Sequence, residues 1–378
     1  MRIGIDARLY GLEHAGLGRY VSELINNVIK TDKKNSYVLF LKSNHLEEFR
    51  GKKRIKVVEC NVPIYGIWEQ IILPVIFAKE KLDLLHVPHF NAPLLYPGKL
   101  ILTVHDLIKH VSKGPETTTH KPWLYQIKRI GYLVLTKIIS MKASAIVTPS
   151  IYVKKELINR LKVPENKITV TYEATASSLK DLVLSEEDKK EVLTKFGLSQ
   201  PFVVYTGSLY PHKNVDTLIE AIVGHNKTKE ADLQLALICS RSVFWERTNR
   251  KIHDRKLEDT VKMLGFVDDN NISKIYSLAL ALVHPSKMEG FGLTGLEAMS
   301  VGLPVISSDS SCLPEIYGEA ALYFNPNSVE DLIEKLEILI KDPDLRRSLS
   351  ESGYLQVRKY SWAKMAKETI AVYKQFLR

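Results

Sequence analysis

The stretch that decides the fold runs from Glu289 to Ser308 and reads E-G-F-G-L-T-G-L-E-A-M-S-V-G-L-P-V-I-S-S. Two carboxylates, Glu289 and Glu297, stand eight residues apart across a glycine-rich loop that turns into a helix. Gly290 and Gly292 permit backbone conformations closed to other residues and the close approach of a ligand. The apolar run Leu293–Val301 predicts a helix, Gly302 stands where a cap glycine would, and Pro304 opens the next strand. The backbone N–H groups of Phe291, Gly292 and Leu293 then face out of a helix N-terminus, an anion site suited to a phosphate or diphosphate. Glu289 precedes that site and Glu297 lies about one turn inside the helix. Carboxylates are expected to take hydroxyls on either side of such an anion rather than the anion itself.

At these residues the segment resembles the E-x7-E signature of the retaining GT-B glycosyltransferases of family four (glycosyl transferases group 1). The resemblance implies that Glu289 contacts the donor sugar and Glu297 the ribose of a nucleotide diphosphate sugar.

Thr206–Asn214, T-G-S-L-Y-P-H-K-N, follows a predicted strand and precedes a predicted helix. It resembles the family's phosphate loop, which implies Lys213 as the partner of the donor diphosphate, with Gly207 shaping the turn. The family usually places Arg after the glycine. Here Ser208 stands there, and it cannot supply the bidentate contacts of a guanidinium. Either Lys213 and the helix N-terminus suffice, or His212 contributes. The G-x-G of His14–Tyr20 (H-A-G-L-G-R-Y) is not a dinucleotide fingerprint, since the third glycine position is Val21. It resembles the family's first-domain glycine loop, implying donor contacts from Gly16, Gly18 and Arg19. T-V-H-D at Thr103–Asp106 resembles the family's catalytic pair: His105 toward the donor sugar, Asp106 shaping the site. In Val87–Pro93, V-P-H-F-N-A-P, His89 and Asn91 are acceptor candidates. Phe266 and Val267 match a segment whose backbone recognises the base. Pro314-Glu315 continues the match, with Glu315 either structural or ligand-facing.

The chain has 378 residues, 45% hydrophobic and 25% charged, enough for two or three globular domains. Cys60, Cys239 and Cys312 are odd in number and lack metal-ligand spacing, which argues against a disulfide framework and for a reducing, cytoplasmic setting. The opening M-R-I-G-I-D-A reads as a strand rather than a signal peptide. No apolar run approaches the ~20 residues of a membrane span. Asp342-Pro343-Asp344 spells a D-x-D, but between predicted helices, where Asp342 reads as a helix N-cap. No metal and no cofactor is expected.

Strands are predicted at Arg2–Ala7, Tyr37–Leu41, Ile55–Val58, Leu84–Val87, Leu100–Val104, Ala145–Thr148, Phe202–Thr206, Leu233–Ile238, Val261–Leu264, Ala281–His284 and Pro304–Ser307. Helices fall between them at Gly18–Ile29, Gly66–Lys79, Lys121–Met141, Val153–Leu161, Asn214–Ile222 and Val329–Ile340. Alternation of this kind predicts parallel sheets covered on both faces, with ligands at the carboxyl ends of the strands. The fold expected is α/β: GT-B, two Rossmann-like doubly wound domains with a deep interdomain cleft. Tyr172–Asp181 lacks periodicity, so the domains are read as an acceptor-side 1–173 and a nucleotide-sugar-binding 174–360. The final helix Ser361–Leu377 (361–378 as a segment) resembles the GT-B helix that crosses back to the first domain, anchored by Trp362.

Charge is uneven. Through Glu173 there are 27 Lys and Arg against 15 Asp and Glu, a balance of +12; the remainder carries 26 against 28. The first half is expected to meet something anionic. Lys121–Lys142 contains Lys121, Lys128, Arg129, Lys137 and Lys142, no acid, and Trp123, Leu124, Tyr125, Ile127, Ile130, Tyr132, Leu133 and Leu135 among them. Such a basic helix can lie on an anionic membrane face. Nothing points to nucleic acid.

The resemblance implies a metal-independent hexosyltransferase. It would move a sugar from GDP-mannose or a UDP-sugar to a hydroxyl of a glycan or lipid-linked acceptor, with retention of configuration. The phosphate loop and the G-x-G-R-Y start look most like mannosyltransferases of polysaccharide assembly. A sugar-nucleotide epimerase or phosphorylase of the same fold, or a non-enzymatic module binding anionic membranes, are the rivals; no pyridoxal lysine is identifiable.

Overall fold

A computed structural model of the chain describes residues 1–11, 15–111, 122–175, 179–228 and 232–376. Their contacts divide them into two units. Described residues within Met1–Val111, His120–Glu173 and Ser361–Arg378 form one; those within Ala174–Tyr360 form the other.

The first unit holds a parallel sheet built from β1 (Arg2–Asp6), β2 (Ser36–Leu41), β3 (Ile55–Glu59), β4 (Leu84–Val87), β5 (Leu100–Thr103), β6 (Ala145–Thr148) and β7 (Ile168–Val170), in the order β3-β2-β1-β4-β5-β6-β7. The second holds β8 (Phe202–Thr206), β9 (Gln234–Ile238), β10 (Val261–Gly265), β11 (Leu282–His284), β12 (Val305–Ser308) and β13 (Ala321–Phe324), in the order β10-β9-β8-β11-β12-β13. The central strands are buried along their whole length, as β4, β5 and β12 show, which is why they read as apolar runs without alternation. Both units are Rossmann-like. In each sheet the strand order reverses at one place, between β1 and β4 and between β8 and β11, and these switch points are where such sheets take ligands.

Several elements differ from the sequence expectation. The first helix begins at Ala15, three residues before the expected start at Gly18, so Gly16 lies in its opening turn rather than in the loop before it. The stretch predicted as a helix over Val153–Leu161 is a helix Ile151–Glu156 that widens into a π-type segment Leu157–Leu161. The edge strands β7 and β13, three and four residues long, carry too few residues for a pattern to register. The helices Glu186–Phe196, Val243–Asp254 and Asp269–Leu278 were not predicted, although Ser185, Ser242 and Asp268 each accept an N-cap hydrogen bond, whereas the helix Pro343–Val357 follows Asp342 as its reading as a cap expects. Asp342 of the D-x-D is thus a cap, taking the Leu345 N–H at 2.8 Å.

The last helix, Trp362–Gln375, belongs to the first unit. It packs on the helix Ala15–Thr31, with Trp362 edge-on to Tyr20 at 6.3 Å. Its Tyr373 hydroxyl meets Nδ1 of buried His86 on β4 at 2.6 Å. Residues 12–14, 112–121, 176–178, 229–231 and 377–378, among them His14, Lys121 and Leu377, lie outside the described residues, as do the side chains of Trp123 and Leu124.

Candidate functional site

In the second unit, the carboxyl ends of β8 and β11 bring three side chains together. After β8 the chain turns at Gly207, φ 147°, and runs through a short helical turn Pro211–Lys213. Asn214 closes that turn in the left-handed region and is buried. Its side-chain amide donates to the carbonyls of Pro285 and Pro326, at 3.1 and 2.8 Å, tying the loop to its neighbours. Lys213 is thereby directed at Glu289: Nζ donates to Oε1 at 2.6 Å. His284, the last residue of β11, places Nε2 3.0 Å from the same oxygen. Burial alone would raise the Glu289 carboxyl, but the Lys213 ammonium and the His284 contact outweigh it and hold the group well below the usual carboxylate range.

A tyrosine secures this cluster from behind. Tyr317, fully buried, donates its hydroxyl to the Gly292 carbonyl at 2.6 Å and lies 2.7 Å from Nδ1 of His284. Of the glycine pair, Gly292 alone takes a positive φ, 93°, as the residue before the helix Leu293–Ser300. A Cβ there would fall 2.6 Å from the Tyr317 hydroxyl oxygen and 2.7 Å from Leu313 Cδ2. The far end of the helix is closed as the sequence predicts. Gly302, φ 74°, donates to Met299 and Leu303 donates to Ala298, a Schellman pair.

The other predicted residues of this unit are placed as follows. Glu297 is half-buried one turn into the helix, and its charge is felt by Tyr276, whose hydroxyl donates to Thr206 at 2.8 Å. Phe291 is buried against Tyr360, Leu293 is half-buried, and Ser208 is exposed. Phe266 is 80% exposed beside buried Val267. His212 stacks on Tyr210 at 5.8 Å, and burial, aided by Lys213, pushes its imidazole down to about 4, so at neutral pH it is no second cation. Glu315 is half-buried on the helix Leu313–Tyr317. A groove of about 620 Å³ in this unit, lined by Gln200, Ser277, Gly302 and Arg346 among others, holds none of the residues expected to bind the donor.

In the first unit, the switch point gathers a separate buried cluster. Arg8, just beyond β1, donates to both oxygens of Asp6 and to Glu69. Asn91 donates to the other oxygen of Glu69, and its backbone N–H reaches Nδ1 of His89 at 3.2 Å. His89 Nε2 meets the Tyr65 hydroxyl at 2.8 Å. His89 and Asn91 are therefore engaged within the fold, and burial with nearby cations holds His89 neutral. His105 follows β5, with Nδ1 3.0 Å from Glu173 and Nε2 3.2 Å from the Pro88 carbonyl, against the edge of Tyr20 at 4.5 Å. Asp106 accepts the Ile108 N–H at 2.9 Å. The helix Ala15–Thr31 presents Gly16 exposed, Gly18 buried and Arg19 half-buried.

Sequence reasoning quoted His284 only as framework and missed Asn214, Tyr317, Arg8, Glu69 and the Glu173 partner of His105. Strand-end position, five residues before Glu289, was the available signal for His284.

Two Rossmann-like units, one with a lysine–carboxylate pair beside a glycine-capped helix at its switch point, define a glycosyltransferase of the GT-B type. The chain belongs to the glycosyltransferases of group 1: the family described as Glycosyltransferase Family 4 matches residues 15–175, and Glycosyl transferases group 1 matches residues 186–356. It is 28% identical over 306 residues to the O-antigen chain mannosyltransferase B of Escherichia coli, covering 74% of this chain and 78% of that one. To the O-antigen chain mannosyltransferase RfbU of Salmonella typhimurium it is 27% identical over 284 residues, 74% and 71% of the two chains. Among solved structures, a glycosyltransferase from Rickettsia africae superposes with TM-score 0.73 at 19% identity, over 100% of this chain and 98% of that one. Anabaena HepE, solved in complex with UDP-glucose, gives 0.73 at 17% identity over 99% of each.

Proposed function

We propose that this glycosyltransferase moves a hexose, mannose in the first instance, from a nucleotide diphosphate sugar to a hydroxyl of a glycan or lipid-linked acceptor in polysaccharide assembly, with retention of configuration. The observation that carries the reading is the convergence of Lys213, Glu289 and the Gly292-capped helix at the β8/β11 switch point. The mannosyltransferase relatives support the sugar, and the HepE complex with UDP-glucose supports a nucleotide diphosphate donor.

The chemical demand is to stabilise a departing diphosphate and a sugar that becomes cationic. Lys213 supplies a positive charge to the leaving oxygens, with the backbone of Phe291, Gly292 and Leu293 adding a preorganised dipole. Gly207 and Ser208 lie in the same phosphate loop. Glu289, held ionised, takes sugar hydroxyls; Glu297 takes the ribose; Phe266 and Val267 take the base. His105, assisted by Asp106, is assigned to the sugar, with Gly16, Gly18 and Arg19 near the phosphates. His89 and Asn91 shape the acceptor side. Cationic side chains and helix dipoles do the work that a metal does in other transferases, and the reaction runs at the cytoplasmic face.

The test is nucleotide release from GDP-mannose and a panel of UDP-sugars, with and without glycan and lipid-linked acceptors, and the anomeric proton of the product read by NMR. Acceptor-dependent release with the donor's anomeric configuration is expected. Release without transfer, epimerised donor, or an inverted product overturns the corresponding part.

A further inference from the structure

The helix Ile67–Lys79 (I-W-E-Q-I-I-L-P-V-I-F-A-K) is apolar on both sides. Its inner side, Leu73, Pro74 and Phe77, is buried against the sheet. Its outer side is equally apolar: Ile67 is 72% exposed, Trp68 56%, Ile71 55% and Val75 54%. A surface helix of a globular protein ordinarily turns polar residues outward, so a helix apolar all round is one that something covers. The helix Pro122–Lys142 repeats the pattern. Ile127, Ile130, Val134, Ile138 and Met141 follow the helical period and all are exposed.

The two exposed stripes share one side of the first unit. Lys109 sets its ammonium 4.7 Å from the ring of Tyr65, which precedes the first helix, and 5.6 Å from the ring of Tyr132 on the second, with Phe90 between them at 5.5 Å. The loop after Phe90 is tied to both helices: Gln70 accepts the Leu94 N–H at 2.8 Å, and Lys142 donates to the Tyr96 carbonyl at 2.7 Å. Leu95, at the tip of this loop, is 72% exposed.

Charge selects the occupant. The only acid on either helix is Glu69, which is buried and paired with Arg8. Exposed Lys79, Lys128 and Lys137 flank the apolar stripes. A second copy of the chain would set these lysines against one another, whereas an anionic lipid surface accepts apolar side chains beneath its headgroups and cations among them.

We propose that this face, led by the helix Ile67–Lys79, beds into the interfacial layer of an anionic bilayer and brings the enzyme to a lipid-linked acceptor. No helix among the described residues is long and apolar enough to cross a membrane, so the contact is one of lying on it. The inference rests on the transferase reading only for the acceptor, not for the binding.

The experiment is cosedimentation of the full chain with phosphatidylcholine vesicles, with and without phosphatidylglycerol. Binding is expected to the anionic vesicles, and Ile71→Glu with Val75→Glu should lower the bound fraction by roughly tenfold or more. Ile130→Glu with Val134→Glu is a second variant on the other stripe. Both pairs point outward, so thermal unfolding and nucleotide-sugar binding should not move. Brominated lipid should quench tryptophan fluorescence, and Trp68→Phe should remove most of that quenching. No binding to either vesicle at low salt, binding indifferent to both double variants, or a dimer that Ile71→Glu with Val75→Glu dissociates would each overturn the proposal. Retained nucleotide-sugar binding in a protein that ignores vesicles would sink the membrane inference alone.

Discussion

The Nζ of Lys213 lies 2.6 Å from Oε1 of Glu289, across 76 residues of sequence. The ammonium assigned to the donor diphosphate and the carboxylate assigned to the donor sugar are thus a partly buried ion pair, and the ammonium helps hold the carboxylate ionised. Removing one partner leaves the other desolvated and uncompensated, so the pair acts as a unit.

Lys213→Ala should lower turnover by roughly 100- to 1000-fold, the usual effect of deleting one group that stabilises developing negative charge. Initial rates at saturating donor check it. A rate within a few-fold of wild type would make the lysine a structural partner of Glu289 only.

Stability should depend on pH through Glu289. Its carboxyl titrates lower in the folded chain than the ordinary value of 4.5, so its contribution is complete above that value and fades as pH falls below it. The unfolding free-energy difference between wild type and Glu289→Gln, from urea titrations, should therefore be largest near neutrality and shrink in acid. A difference that stays constant from neutral to strongly acidic pH would contradict the ion pair.

Gly292→Ala should destabilise the protein by about 1–3 kcal/mol, since it combines a positive φ with a Cβ in the space of Tyr317. Displacing Tyr317 also frees His284, so donor affinity should fall with the melting temperature. Calorimetry of both quantities on one preparation checks the coupling.

Glu297→Gln should weaken donor binding by ~1.5–3 kcal/mol, the worth of charge-assisted bonds to ribose hydroxyls, with little change in folding. An unaltered dissociation constant in the folded variant removes the ribose assignment.

Transfer should persist in EDTA. Complete loss, restored by manganese or magnesium, would contradict the proposed metal-free chemistry and return attention to Asp342 and Asp344.

The strands read to the residue are ones buried on both faces, because there the apolar run is the whole message. Leu84–Val87, Ala145–Thr148 and Phe202–Thr206 fall where they were predicted, to the residue. Polar surface helices escaped because their apolar stripe is thin; Glu186–Phe196 buries one side chain, Val192. At the site, residues carried by contiguous motifs were legible. His284, Asn214 and Tyr317 act through contacts between separate loops, which no linear spacing encodes. The outward apolar face of Ile67–Lys79 was equally hidden, since in sequence an apolar helix looks the same whether its neighbour is a sheet or a lipid.

The final helix has a consequence for biosynthesis. Tyr373 and His86, 287 residues apart, close the first unit's core. The second unit's residues are therefore all made before that closure is possible. Until the helix Trp362–Gln375 has been made, the helix Ala15–Thr31 and His86 lack their cover, and it acts as the latch that completes the domain begun before it. Loss of the closing residues would thus injure the beginning of the chain and spare its middle.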